Sequence, residues 1–217
     1  MNRHQEPAAV VETLISQRRS IRKYTADPVP EDWIEAILRC GAQAPSPTNS
    51  QPVRYLRIAS PGRRAGLRKA MLDGHRRLLA RHEAVGADPH VRNWINAYRR
   101  YAEFMVHAPV LICVGVVHQV PSFGGRMAAA GLIPRDPRQG TDADICVGLA
   151  LKGILLKAQS LGLGSCILTA PLVFIEDVAG ILDLADFQAK CFLTLGFAAE
   201  APAASGRLPL ESVYKVV

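Results

Sequence analysis

No Cys-x-x-Cys pair occurs in the 217 residues. The five cysteines, Cys40, Cys113, Cys146, Cys166 and Cys191, are scattered and odd in number. That spacing argues against a zinc site or a redox disulfide. It favours a reducing compartment, so a cytoplasmic location is expected. The histidines, His4, His75, His82, His90, His107 and His118, include no His-Glu-x-x-His and no paired metal spacing, so no metal is expected. His107 reads either as a structural histidine or as a residue lining a pocket. There is no Gly-x-Ser-x-Gly elbow. No Gly-x-Gly-x-x-Gly follows a strand and no Gly-Lys-Ser/Thr loop occurs, so the Rossmann and P-loop signatures are missing. Phosphate binding would have to rest on side-chain cations. Lys152 and Lys157 interrupt the longest apolar run, and residues 1–20 lack an apolar core of signal-peptide type, so no membrane association is expected. No internal repeat is visible.

Acid is also in short supply. Nineteen acidic side chains face 26 lysines and arginines, giving a net charge of +7 and a pI near 9.4. Such a surface attracts anions: phosphates, nicotinamide nucleotides, nucleic acid or acidic membranes. Much of the excess lies in residues 63–82, at Arg63, Arg64, Arg68, Lys69, Arg76, Arg77 and Arg81. A solvated helix face accounts for this stretch. It has no interleaved aromatics, so no nucleic-acid partner is expected. With 49% hydrophobic and 21% charged residues, the chain reads as one domain, 1–217, with a substantial core.

Helices alternate with short strands, which gives an α/β or α+β class. Residues 8–17 read as a helix with Val11, Leu14 and Ile15 on one face. Pro30 opens a second helix through Ile34, Ile37 and Leu38, ending near Gly41. Residues 55–59 are a strand candidate. Residues 62–106 read as helical, broken near Gly86 to Pro89. Trp94, Tyr98, Tyr101 and Phe104 in the second part are either core packing or the lining of a pocket over a flat ring. Residues 110–117 form a buried strand, and 120–141 a long aperiodic loop. Residues 144–161 form the most apolar helix, expected to be buried on most sides. Asp142 and Asp144 before it read as capping groups rather than a catalytic carboxylate pair. A strand over 165–168 follows, then one helix from Pro171 through Leu182, a strand over 190–197 and a β-prone tail over 212–217.

Two segments near the start carry the chemistry. Arg18-Arg19-Ser20-Ile21-Arg22 packs three guanidiniums and a hydroxyl together. After one helix comes Pro45-Ser46-Pro47-Thr48-Asn49-Ser50-Gln51-Pro52, rich in turns and amides. Cations and hydroxyls suit a phosphate, and amides suit the edge of a flat heterocycle. Simpler accounts exist for both: cations favourable at a helix C-terminus, and a proline-fixed loop capping its own backbone.

In their order and separation by one helix, these segments resemble the FMN-dependent nitroreductase family. Gly162-Leu163-Gly164 and the closing stretch from Leu195-Gly196-Phe197 to Ser205-Gly206-Arg207-Leu208-Pro209-Leu210 extend the match. The resemblance covers most of the chain and is weakest over 62–141. It implies a nitroreductase-like fold, with a mixed central sheet wrapped by helices, in an intertwined homodimer. It implies FMN as cofactor and NAD(P)H as reductant. Hydride would pass through flavin N5 to a small-molecule acceptor such as a nitroaromatic or quinone, in ping-pong order. Arg18, Ser20 and Arg207 would serve the phosphate and ribityl region, with Arg19 least tied to it. Arg22 would sit near the pyrimidine edge, where it stabilises the charge of reduced flavin. Pro45, Ser46, Pro47 and Asn49 would reach the other subunit's flavin. A backbone donor at Thr169 or Ala170 would lie near N5. No side chain is identified as catalytic, and region 62–141 would build the acceptor pocket. Pro47, Val53, Thr169, Ala170 and Ser205 depart from residues common in the family. Two other readings remain. One is flavin-destructive oxygenation or reductive dehalogenation on the same fold. The other is a non-catalytic nucleotide or nucleic-acid binder using the basic stretch.

Overall fold

The computed structural model describes residues 5–117, 121–136 and 140–217. His4, His118 and parts of the expected 120–141 loop lie outside the described residues. Four strands build the sheet: β1 (Val53–Arg57), β2 (Val110–Val117), β3 (Leu163–Leu168) and β4 (Phe187–Phe197). Their order is β1-β2-β4-β3, and each neighbouring pair runs antiparallel. The parallel component is an isolated bridge between Ser20 and Ser165.

Strand β2 explains why the sheet is covered on both faces. Val110, Ile112, Val114 and Val116 pack with helices α2 (Glu31–Ala42) and α6 (Thr141–Ser160), through Ile34, Ile37, Ile154 and Leu155. The alternate residues Leu111 and Cys113 pack with Phe192, Met105, Phe174 and with Leu67 and Met71 of α3 (Pro61–Val85). A period-2 strand that is apolar at every position must be covered twice. Each fully buried aliphatic side chain contributes about 1.5–3 kcal/mol. Cys113 and Cys191 sit in these cores, and burial pushes their thiols up to about 12, so they remain protonated small hydrophobes.

Helix α3 begins where the Ser60 hydroxyl accepts from the Arg63 amide and Pro61 supplies the first turn. It ends at Gly86, whose φ of +61° suits a glycine cap. Helix α4 (Pro89–Glu103) follows, capped by Asp88. The break expected between residues 86 and 89 is therefore present. The Arg64 guanidinium sits among main-chain carbonyls, donating to Ile58 at 2.8 Å, Val106 at 3.1 Å and Ala108 at 2.6 Å. It ties α3 to the turn that feeds β2.

Several expectations are corrected. The 120–141 loop contains a short helix, α5 (Phe123–Ala129), which Ser122 caps by accepting from the Gly125 amide. Glycine and arginine richness hid it. The helix expected from Pro171 through Leu182 is two, α7 (Pro171–Phe174) and α8 (Val178–Leu182), because Asp177 caps a new start. The tail forms one helical turn, α9 (Leu210–Val213), with no strand pairing among the described residues. Residues 201–217 are all exposed. Helix α6 buries one face, whereas Ile145 and Leu149 on the other are 48% and 45% exposed. Val10, Val11 and Ile15 of α1 (Gln5–Gln17) are also exposed. Asp142 and Asp144 lie inside the first turn of α6 rather than before it, and Gly140 occupies the cap. Asp144 pairs with Lys190 at 2.7 Å.

Candidate functional site

The arginine segment lies across the ends of β3 and β4. Gly164 and Gly196 pair directly across these strands. A Cβ on Gly164 would come within 2.8 Å of Ile21, and one on Gly196 within 2.8 Å of Tyr24. The two glycines therefore form a trough in which Ile21 and Tyr24 lie against bare backbone. This is the physical content of the Gly-Leu-Gly motif. The Ile21 amide donates to Ser165 O at 3.0 Å, and the Thr25 amide to Phe197 O at 2.9 Å. The Tyr24 hydroxyl donates to Ile21 O at 2.7 Å and lies 2.8 Å from the buried Thr194 hydroxyl. Burial raises the Tyr24 pKa well above the ordinary phenol value, which the Thr194 hydrogen bond only partly offsets.

This seating fixes where the cations stand. Arg18 and Ser20 are half-buried and Arg22 is exposed. Burial raises the thiol pKa of Cys166 on β3, and the guanidiniums of Arg22 and Arg18 oppose that shift. Neither Arg18 nor Arg22 forms an ion pair among the described residues. Arg19 differs: its Nη1 donates to Ser16 O at 2.6 Å and Arg18 O at 2.9 Å. It closes the C-terminus of α1, where four carbonyls lack helical partners. Beyond β3, the Thr169 and Ala170 carbonyls accept from Leu172 and Val173 at 3.0 and 3.1 Å. Their own amides have no backbone acceptor among the described residues. Two cations and a hydroxyl thus stand at the start of β3, and the Thr169 and Ala170 amides follow its other end, roughly 13–16 Å along the strand. That donor set fits an anionic group joined to a polar ring.

The Pro/Ser/Asn loop is elsewhere. It leads into β1, at the opposite edge of the sheet. Ser165 pairs with Leu195 and hence with Val110 at the start of β2, whereas Val53 pairs with Val116 near its end. Strand spacings and residue rises separate these corners by roughly 14 Å across and roughly 20 Å along the sheet. The loop is held locally. The Ser46 hydroxyl accepts from the Gln51 amide at 2.9 Å, and Asn49 Oδ1 accepts from Gln51 Nε2 at 3.0 Å. Thr48, Asn49 and Gln51 have φ of 53°, 55° and 44°. Three left-handed non-glycine residues in four positions, one of them β-branched, mark a strained exposed turn. Pro47 opens its 3-10 turn and Pro45 precedes it. Arg207 stands on the exposed tail, where its Nη1 donates to Ser205 O at 3.4 Å and Gly206 O at 2.9 Å. No hydrogen bond or ion pair among the described residues joins it to the arginine segment.

The basic stretch 63–82 is largely neutralised within the chain. Arg63 meets Asp183 at 3.0 Å, Arg68 meets Glu103 at 3.5 Å and Arg77 meets Glu176 at 2.9 Å. Lys69 meets Asp73 at 2.8 Å, and Arg76 pairs with the same carboxylate. Trp94, Tyr98 and Tyr101 form an exposed stripe on α4, whereas Phe104 packs inward, 6.4 Å from the Tyr24 ring. His107 is exposed. Among the described residues, no His/Cys/Asp/Glu group could hold a metal, and no helix is long and apolar enough to cross a membrane. Sequence reasoning passed over Tyr24, Thr194 and Glu200. It quoted Gly164 and Gly196 as parts of two motifs, and their pairing across β3 and β4 emerges only from the register.

Comparison with known proteins identifies the fold and the family. A model of the nitroreductase family matches residues 15–197. An NADH dehydrogenase of Thermus thermophilus is 31% identical over 95% of this chain and 96% of its own length. The structure resembles a BluB-like flavoprotein from Clostridium difficile, with a TM-score of 0.80 at 19% identity, covering 95% of this chain and 98% of that one. It also resembles an iodotyrosine deiodinase bound to FMN and 3-iodo-L-tyrosine, with a TM-score of 0.67 at 19% identity, covering 92% and 95% of the two chains. The fold and the family match over most of the chain lead to one conclusion: this protein belongs to the nitroreductase family.

Proposed function

We propose that this chain is an FMN-dependent NAD(P)H oxidoreductase that works as a homodimer. The observation that carries the reading is the pair Arg18 and Arg22, which have no ion-pair partner among the described residues and sit on a segment held against the Gly164–Gly196 trough. Relatives point the same way: one is an NADH dehydrogenase and another holds FMN.

When bound, FMN would supply hydride transfer at N5 between NAD(P)H and a nitroaromatic, quinone or similar acceptor, in ping-pong order. The chain's own residues bind and orient. Arg18 and Ser20, with Arg207 from the tail, would hold the phosphate and ribityl oxygens of FMN by charge-assisted hydrogen bonds. Arg22 would supply a positive charge to the pyrimidine ring, which would favour the electron-rich form and raise the reduction potential. The Thr169 or Ala170 amide would donate to the ring and fix it. Arg19 keeps its place at the end of α1. Solvent serves as proton donor. The 62–141 region, with the aromatic stripe of α4, shapes acceptor choice.

The second copy follows from the diagonal separation of the arginine segment and the Asn49 loop. One chain holds them at opposite corners of its sheet, so a site using Pro45, Ser46, Pro47 and Asn49 takes them from a partner. The exposed apolar residues of α1, α6 and the tail supply a surface for that partner: Val11, Ile15, Ile145, Leu149 and Tyr214.

The test is an absorption spectrum of the purified chain, repeated anaerobically after NADH or NADPH. A flavin spectrum that bleaches and returns in air supports the reading. Absorbance that never returns points to flavin-destructive oxygenation. A chain that takes up no FMN sinks the assignment.

A further inference from the structure

We propose that Glu200 is a positioning residue for Arg22, an inference that rests on the FMN reading. Glu200 Oε1 accepts from two consecutive main-chain amides, Arg22 at 2.5 Å and Lys23 at 3.1 Å. Consecutive amides aimed at one point form a small anion-binding concavity. Here the chain fills that concavity with its own carboxylate. The same stretch is laced further: the Ala199 amide donates to Lys23 O at 2.9 Å, and Ala198 bridges Tyr24. Residues 22–25 are therefore held from one side by residues 197–200 and from below by the Gly164–Gly196 trough.

Two consequences follow. The amides of Arg22 and Lys23 are closed to a phosphate, so anion binding falls to the side chains of Arg18, Ser20 and Arg207. The direction in which Arg22 leaves the main chain is set by a residue 178 positions away in sequence. An acid so near an anionic ligand is unfavourable by charge alone, which makes geometry its reason for being there.

Glu200→Ala and Glu200→Gln separate geometry from charge, because glutamine keeps the accepting oxygen and loses the charge. Three readings are taken: amide exchange of the FMN-free chain, FMN titration and the midpoint potential of bound FMN. In Glu200→Ala, the Arg22 and Lys23 amides exchange roughly tenfold faster and FMN binds roughly tenfold more weakly. The potential becomes more negative, as in Arg22→Ala, and adding Glu200→Ala to Arg22→Ala weakens binding no further. In Glu200→Gln, all three readings stay near wild type. Independent, additive losses in the double variant would overturn the proposal. So would a Glu200→Gln chain that behaves like Glu200→Ala, or unchanged amide exchange in Glu200→Ala. A wild-type chain that binds no FMN overturns the cofactor reading and the flavin role of Arg22. The exchange data would show separately whether the carboxylate holds the main chain.

Discussion

Two regions of this protein are rich in arginine, and they differ in what their charges meet. Helix α3 carries most of the basic excess, yet Arg63, Arg68, Lys69, Arg76 and Arg77 each face an acid of the same chain. The 18–22 segment has fewer cations, and Arg18 and Arg22 have no acidic side chain paired with them among the described residues. Even its nearby acid, Glu200, accepts from main-chain amides rather than from a guanidinium. A cation beside a carboxylate has its field partly cancelled and attracts a further anion less, even where it stays solvent-exposed as these do. An unpaired one held in place on a glycine trough keeps its charge available. Charge density along the sequence points to α3, whereas pairing in the fold points to the 18–22 segment.

The largest effect should come from removing the available charges. Arg18→Ala with Arg207→Ala should weaken FMN by roughly 1.5–3 kcal/mol per charged hydrogen bond lost. Arg68→Ala with Arg76→Ala should leave FMN titration unchanged. Equal losses in both pairs would erase the distinction between the two regions.

Arg64 is the member of α3 that meets carbonyls instead of acids, and burial lowers its pKa, with Arg57 adding to the effect. Arg64→Ala leaves the Ile58, Val106 and Ala108 carbonyls without this donor. It should cost about 2–4 kcal/mol in denaturant unfolding with FMN affinity retained. A smaller effect comes from the trough. Gly164→Ala forces a Cβ to 2.8 Å from Ile21. It should lower stability by about 1–3 kcal/mol and weaken FMN together, because the segment that carries Arg22 is displaced. Lost stability with untouched FMN binding would separate the trough from the site.

The smallest effect belongs to Asp73. Hydrogen bonds from Lys69 and Arg76 lower its pKa below the ordinary 3.8. A carboxylate depressed in the folded state stabilises the fold above its unfolded pKa. That contribution is lost as pH falls through the depressed folded value. Asp73→Asn should therefore narrow the stability difference between pH 6 and pH 3 slightly, read by thermal unfolding. The side chain is solvent-accessible, and salt should shrink the effect.

Much of the fold was legible because local patterns carried it. The apolar run of β2, bounded by Pro109, could only be a strand buried on both faces. The Ser60-Pro61 start and Gly86 stop bracket α3 by capping chemistry alone. Where local signals conflict, reading failed. Residues 123–129 hold two glycines in a helix that Ser122 capping secures. Residues 171–182 look like one helix until Asp177 restarts it. Helix α6 reads as buried on most sides, yet this chain leaves Ile145 and Leu149 exposed. Hydrophobicity specifies burial but not whether the same chain supplies the cover.

The candidate site divides in the same way. By residue type and order, the sequence pointed to Arg18, Ser20, Arg22 and Asn49 as groups for an anionic, ring-bearing cofactor, with Arg207 added by the family resemblance. It also carried the Gly-Leu-Gly pattern that lets another segment approach a strand, because only a residue without a Cβ leaves that space. Tertiary structure decided which cations stay free, since pairing depends on side chains far apart in sequence. It decided that Arg19 turns back onto its own helix, that Glu200 holds the main chain at Arg22, and that the Asn49 loop lies at the opposite corner of the sheet. Those outcomes follow from strand order and register, which arise from long-range pairing that no local pattern encodes.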